Sequence, residues 1–92
     1  MARARHDPRA MSAAFGRRLR ALREERGLSQ DALARITDVH ATMIGRLERG
    51  AREPRLSTIL RVAAGLAVAP GELLDFSDAD DDAAGEGTEA GS

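Results

Sequence analysis

Residues 29–50 read SQDALARITDVHATMIGRLERG, and the rest of the chain is organised around this stretch. The spacing of its apolar residues predicts two short helices, over residues 30–36 and 41–49, joined by a tight turn. The apolar residues assigned to the buried side of the pair are Leu33, Ala34, Ile36, Ile44 and Leu47. Ser29 is typical of a helix N-cap, Asp38 tolerates the left-handed turn conformation, and Gly50 ends the second helix. Helices of two turns need tertiary support, so this pair must pack against other helices.

The outer face of the second helix is formed by short or hydrogen-bonding residues, and arginines follow it: Ala41, Thr42, Gly45, Arg46, Arg49, Arg52 and Arg55. Such a face can enter a DNA major groove, where Thr42 and Arg46 would reach base edges and the later arginines would hold phosphates. The alternative is an ordinary solvated helix face. The arginines alone fit both interpretations equally well, whereas the turn and the small residues together favour the DNA-binding one.

The same stretch resembles the helix-turn-helix of the phage-repressor and Cro-like regulators, the XRE family. The match begins at the glutamine that opens the first helix and ends at the Glu-x-Gly that ends the second. The matching positions are Gln30, Leu33, Ala34, Val39, Ile44, Leu47, Glu48 and Gly50. The similarity extends over residues 13–76. Three positions depart from the family pattern. Asp38 replaces the usual turn glycine, His40 the usual serine before the second helix, and Ala67 the usual glycine after the fourth helix.

The resemblance implies an all-α fold of five helices, a compact lambda-repressor-like domain in which helices 2 and 3 form the helix-turn-helix. It also implies a transcriptional regulator, most simply a repressor, that binds double-stranded DNA sequence-specifically as a dimer on a two-fold related operator. Position by position, the residues implied to face bases are Ala41, Thr42 and Arg46, with His40 and Gly45 close by. The residues implied to hold the DNA backbone are Gln30, Arg49, Arg52 and Arg55. In the family, the arginine at position 23 pairs with the glutamate at position 48.

Charge and composition divide the chain into three parts. Residues 1–12 contain Arg3, Arg5 and Arg9 without helical periodicity, and predict a disordered basic arm, although such an arm could also wrap DNA. Residues 13–76 form the helix-turn-helix domain. Residues 77–92 include six acidic residues, no basic residue and almost no large apolar residue. This composition predicts a flexible tail. Residues 1–76 contain 14 arginines and 9 acidic residues. The part that would bind DNA is therefore basic, although the whole chain has a net charge of −1.

The helices around the central pair are predicted from their periodicity. The first, over residues 13–26, buries Phe15, Leu19 and Leu22 and ends at Gly27. The fourth spans residues 56–66, and its predicted buried side is Leu56, Ile59, Leu60, Ala63 and Leu66. The fifth covers residues 71–75, with Leu73 in the core. Leu74 and Phe76 could face outward as a homodimer contact or fold over the edge of the core.

Several functional classes are not supported by the sequence. The absence of cysteine excludes disulfides and thiolate zinc sites, and His6 and His40 are too isolated to indicate a metal. No catalytic or phosphate-loop motif occurs, so we expect no enzyme activity, cofactor or small-molecule ligand. No apolar run approaches the length of a membrane span, and we expect a cytoplasmic, nucleoid-associated protein. Three alternatives remain: an antitoxin, a protein-interaction module and a restriction-modification controller. The stretch VHATMIGRLERG loosely resembles sequences of the last group.

Overall fold

Five α-helices form the fold in the computed structural model, which describes residues 7–76. They are α1 (Pro8–Glu25), α2 (Gln30–Thr37), α3 (Ala41–Glu48), α4 (Leu56–Leu66) and α5 (Pro70–Leu73). The predicted all-α class and the helix-turn-helix in α2 and α3 are confirmed. The observed ends of α2 and α3 differ from the predicted ones by a single residue each. The fifth helix begins at Pro70 rather than Gly71 and ends at Leu73, because Pro70 supplies the fixed backbone angle of a first helical position.

One apolar cluster joins all five helices. It consists of Phe15, Leu19, Leu22, Leu33, Val39, Ile44, Leu47, Ile59, Val62, Ala63, Leu66 and Leu73. Helix α1 packs on α3, and α2 packs on both α3 and α4. The predicted apolar stripe of α1 and the predicted core position of Leu73 are confirmed. Since the two central helices have only eight residues each, this shared core supplies most of what stabilises them.

Four helices end with the same backbone motif. In each, a residue in the left-handed conformation follows the helix, and the next amide donates to a carbonyl five residues earlier. The left-handed residues are Gly27, Asp38, Gly50 and Ala67, with φ between 59° and 72°. The corresponding bonds are Leu28 N to Arg23 O, Val39 N to Ala34 O, Ala51 N to Arg46 O, and Val68 N to Ala63 O. The left-handed conformations expected at Asp38 and Gly27 are thus observed, and the unusual Ala67 adopts one as well.

Helix α1 begins earlier than predicted. Its first residue is Pro8, so the predicted start of this helix at residue 13 is wrong. The side chain of Asp7 caps the helix by accepting from Arg9 N at 3.0 Å, and Pro8 occupies the first turn. Ser12 is buried against the domain, which anchors the added turn. Residues 1–6 and 77–92, which include half of the predicted arm and the whole acidic tail, lie outside the described residues.

The buried side of α4 was predicted only in part. Ile59, Ala63 and Leu66 are buried as expected, but Val62 joins them with no exposed surface, whereas Leu56 is 71% and Leu60 48% exposed. The buried stripe is therefore centred on one side of the helix, and the two leucines lie on its flank. Ile36 of α2 is likewise 54% exposed. Apolar spacing alone cannot say which edge of a wide apolar stripe a neighbouring helix covers.

Arg23 connects α1 with α3 through an ion pair with Glu48. The Arg23 Nε atom lies 2.5 Å from Glu48 Oε2, and Nη2 lies 2.9 Å from Oε1. The third nitrogen, Nη1, donates to the carbonyl of Leu28 at 2.7 Å. Only 11% of the Arg23 side chain and 4% of the Glu48 side chain are exposed. The hydrogen bond to Glu48 raises the pKa of the Arg23 guanidinium, outweighing the opposite effect of burial.

Gly16 allows the backbones of α1 and α3 to approach each other closely. A Cβ atom at this position would overlap the carbonyl oxygen of Leu47 and lie 2.6 Å from that of Glu48. These are backbone atoms of the last turn of α3, so they cannot yield as a flexible side chain would. The residue that faces the end of α3 must therefore lack a side chain.

We expect Gly16→Ala to lower the free energy of unfolding by about 1–3 kcal/mol or more, because α1 must move away from α3. Chemical denaturation followed by circular dichroism measures this. Gly71→Ala is the matched control, since a Cβ at Gly71 meets nothing within 4 Å. Equal stabilities of the two variants would contradict the close approach.

Arg23→Ala and Glu48→Ala should each be destabilising, by about 3–5 kcal/mol for a fully buried pair and less where water reaches it, because each leaves the other charge without its partner. The double variant should lose less than the sum of the single variants. Arg20 and Glu24 form an exposed control pair, 3.0 Å apart, for which we expect about 0.3–0.5 kcal/mol. If the losses of the Arg23→Ala and Glu48→Ala variants added up exactly in the double variant, Arg23 and Glu48 would not stabilise each other.

Candidate DNA-binding surface

Helix α3 has one side in the core and the other in solvent. Ile44 and Leu47 have no exposed surface, and they fix the rotation of the helix. Thr42 and Arg46, four residues apart, are therefore both exposed on the opposite side. Ala41 is half-buried in the first turn, and His40 is the exposed N-cap residue. The residues predicted to face bases thus share one accessible surface, with the exception of Gly45, which is buried.

Gln30 lies in the first turn of α2, where Ser29 caps the helix by accepting from Ala32 N at 3.0 Å. The Gln30 side chain does not extend freely into solvent. Its Nε2 atom donates to Glu48 Oε1 at 3.0 Å, so the same carboxylate holds both Arg23 and Gln30. An amide nitrogen carries two hydrogens, and Gln30 therefore keeps one donor for a ligand. Sequence reasoning did not anticipate this contact.

Arginines of the domain differ in their partners. Two arginines of α1 and its C-cap residue are bound within the domain: Arg18 donates to the Glu72 carbonyl, Arg26 to the Leu66 carbonyl, and Arg23 binds Glu48. The arginines predicted to contact DNA are exposed and form no ion pair with any residue between 7 and 76; they are Arg46, Arg49, Arg52 and Arg55. Their charge is not neutralised within the described domain and is available to an anionic partner.

A cleft of ≈ 370 Å³ lies beside α3, between the turn that precedes this helix and the loop that follows it. Its lining includes His40, Arg52 and Arg55 from the predicted site, together with Arg61, which sequence reasoning did not single out. Arg61 is exposed on α4, three residues after Thr58, another lining residue. Its place one turn after Thr58, on the helix that follows the loop arginines, is the signal that could have identified it.

Two helices begin at this cleft without a side-chain cap. His40 precedes α3 and Arg55 precedes α4, and neither side chain accepts from the amides of the following turn. Helix N-termini carry a partial positive charge, and their free amides are suited to phosphate oxygens. The cleft therefore combines three arginines and two uncapped helix N-termini with only two carboxylates, Asp38 and Glu53, and this excess of positive charge suits the backbone of a nucleic acid.

Other kinds of site receive no support from the described residues. Between residues 7 and 76 no group of three or more His, Cys, Asp or Glu side chains is arranged to hold a metal ion. No helix in this part of the chain is both long enough and apolar enough to cross a membrane.

Comparisons with known proteins match the same part of the chain. The family model described as "Helix-turn-helix domain" matches residues 14–76. The "Control protein C.BamHI" of Bacillus amyloliquefaciens is 39% identical over 64 residues, which are 68% of this chain and 79% of that protein. The "HTH-type transcriptional repressor RghR" of Bacillus subtilis is 46% identical over 55 residues, 59% of this chain, but the match spans only 41% of RghR.

Among solved structures, the restriction-modification controller protein C.AhdI from Aeromonas hydrophila superimposes with a TM-score of 0.66 and 42% sequence identity. The superposition covers 67% of this chain and 94% of that protein. Sequence, fold and the exposed outer face of α3 thus lead to one assignment: the chain belongs to the XRE-like helix-turn-helix family of DNA-binding transcription regulators.

Proposed function

We propose that this protein binds double-stranded DNA sequence-specifically and represses transcription as a homodimer on a two-fold related operator. The observation that carries the proposal is the unpaired charge around α3: Arg46 stands beside Thr42 on the exposed face, and Arg49, Arg52 and Arg55 follow without acidic partners among the described residues. Inserted into a major groove, this face would present Thr42 and Arg46 to base edges. The cleft beside it would receive the strand backbone.

A narrower role is favoured by two relatives. The match to C.AhdI, whose name describes a restriction-modification controller, covers 94% of that protein, and the match to C.BamHI covers 79%. Both relatives therefore consist of little beyond the domain that this chain shares. On this ground we propose control of a restriction-modification operon as the specific form of the regulatory role. An antitoxin or protein-interaction role lacks a comparable observation.

Selection of bound duplexes from a random DNA pool tests the DNA-binding proposal directly. We expect an enriched motif with two inverted half-sites, whose centres are separated by about one helical turn, ~10 base pairs, or a multiple of it. A single, asymmetric motif would contradict the two-fold arrangement. Failure to enrich any motif at low salt would contradict sequence-specific binding.

Arg46 and Arg49 should differ in what they contribute. We expect Arg46→Ala to weaken binding to the selected site by about 1–3 kcal/mol and to relax the choice of base at one position per half-site, because a guanidinium can bond guanine O6 and N7 together. Arg49→Ala should weaken selected and scrambled duplexes alike and reduce the slope of log affinity against log salt by about one unit.

The assay is equilibrium binding to both duplexes across a salt series. Both variants should keep the wild-type melting temperature, since neither side chain has an ion-pair partner in the described domain. Arg20→Ala is the charge-matched control: it removes an arginine of α1 that is paired with Glu24 and lies outside the proposed surface. Equal weakening of both duplexes by Arg46→Ala would mean that α3 does not read sequence through this residue.

The homodimer contact is proposed at the C-terminal end of the domain, where Leu74 is 46% exposed. Phe76 is half-buried against the core and, with Leu74, Met11 and Pro54, lines a mainly apolar groove of ≈ 160 Å³. A second copy that covers Leu74 would remove this apolar surface from water. Leu56 and Leu60, exposed one turn apart on α4, form a separate apolar surface.

We expect Leu74→Glu to convert the dimer to a monomer in sedimentation equilibrium and to weaken binding to the two-fold site, because a carboxylate would be buried in the contact. Leu60→Glu is the matched control and should leave the dimer intact. The opposite result, dissociation by Leu60→Glu alone, would place the interface on α4.

A further inference from the structure

Gly45 lies in the middle of the outer face of α3 and is nevertheless buried. Positions 42, 45, 46 and 49 share this face because they are separated by three or four residues. Thr42, Arg46 and Arg49 are exposed, so the helix surface around Gly45 is otherwise accessible. Something other than the core must therefore cover this glycine.

The covering groups are the side-chain ends of Arg49 and Gln30. The point where a Cβ atom of residue 45 would lie is 3.2 Å from Arg49 Nη1, 3.5 Å from Gln30 Oε1 and 3.8 Å from Gln30 Nε2. A guanidinium from the end of α3 and an amide from the start of α2 thus both lie within 4 Å of the same point above the backbone of Gly45. Arg49 reaches this point from one helical turn further along the same helix.

The two side chains are not held equally firmly. Gln30 is fixed by its bond to Glu48, which is itself bound by Arg23. Arg49 has no ion-pair partner among residues 7–76. A methyl group on residue 45 would therefore push the Arg49 guanidinium away by a few tenths of an ångström, since this contact is both the shortest and the least restrained.

Folding alone does not favour glycine at this position. A glycine in the interior of an eight-residue helix is less stable than an alanine, because it loses more backbone freedom on folding. The helix φ angle at position 45 is not left-handed, so no backbone conformation requires glycine there. The structural effect of glycine is confined to the space that it leaves for Arg49 and Gln30.

We propose that Gly45 is a positioning residue for Arg49. Its missing side chain lets the Arg49 guanidinium lie beside the Gln30 amide, so that the two groups donate together to one anionic oxygen of the DNA backbone. Gln30 contributes the hydrogen that Glu48 does not occupy, and Arg49 contributes the charge. This inference rests on the proposed DNA binding and specifies how one backbone contact is built.

The test is a double-mutant cycle in the full chain with Gly45→Ala, Arg49→Ala and both together. We expect Gly45→Ala to leave the melting temperature unchanged or raise it, to weaken selected and scrambled duplexes by the same factor, and to reduce the salt slope by up to about one unit. In the Arg49→Ala background, Gly45→Ala should have no further effect on affinity or slope, because the side chain that it displaces is already absent.

Each other outcome overturns the inference in a recognisable way. If the alanine methyl collided with DNA itself, the loss of affinity would persist in the Arg49→Ala background. If Gly45→Ala lowered the melting temperature, the glycine would be needed for packing. Unchanged affinity would show that Arg49 functions equally well from another position. A wild-type chain without DNA binding would overturn the proposed function, and this inference with it, before any variant is compared.

Discussion

The Glu48 carboxylate holds the end of α3 in place within the domain. Glu48 ends α3, and its two oxygens accept from Arg23 of α1 and Gln30 of α2, while Arg23 also binds the carbonyl of Leu28 before α2. One buried carboxylate thus links α1, α2 and α3 at the C-terminal end of the helix-turn-helix. Gly16 serves the same junction, since it lets the backbone of α1 touch the last turn of α3. Two-turn helices have little stability of their own, so this junction and the shared core determine the angle at which α3 is presented.

Some arginines are bound within the domain and others are not. Arg18 and Arg23 of α1 and its C-cap residue Arg26 bind groups of α5, α3 and α4. The guanidinium suits this role because it remains charged and donates in several directions at once. The arginines of α3 and of the following loop have no such partners in the described domain. Net charge along the sequence cannot separate the two groups, because it does not show which carboxylates and backbone carbonyls the fold places beside each arginine.

Sequence patterns predicted the fold well where a helix cap or the spacing of apolar residues was enough to determine the local structure. The caps at Ser29 and Gly50, the core stripe of Phe15, and the two central helices follow from such rules. The start of α1 depends on the Asp7 cap and on Pro8, which the arginine-rich composition of residues 1–12 does not reveal. The flank of α4 was missed because the exposure of Leu60 depends on which neighbour covers the helix. At the candidate site, the exposure of Thr42 and Arg46 follows from periodicity, whereas the burial of Gly45 depends on side chains from two helices and could not be predicted from spacing.

The helix ends show why departures from the family pattern at Asp38 and Ala67 leave the fold intact. Both residues adopt the left-handed conformation where the family has glycine, and for alanine this conformation costs about 1–2 kcal/mol. At each end the following valine donates its amide to the helix, and its side chain packs on the core. Nearly complete burial of a valine, as at Val39, contributes about 1.5–3 kcal/mol, and the partly buried Val68 contributes less. The apolar residue that follows the turn and its amide bond therefore stabilise the left-handed conformation, and the residue within the turn needs only to tolerate it.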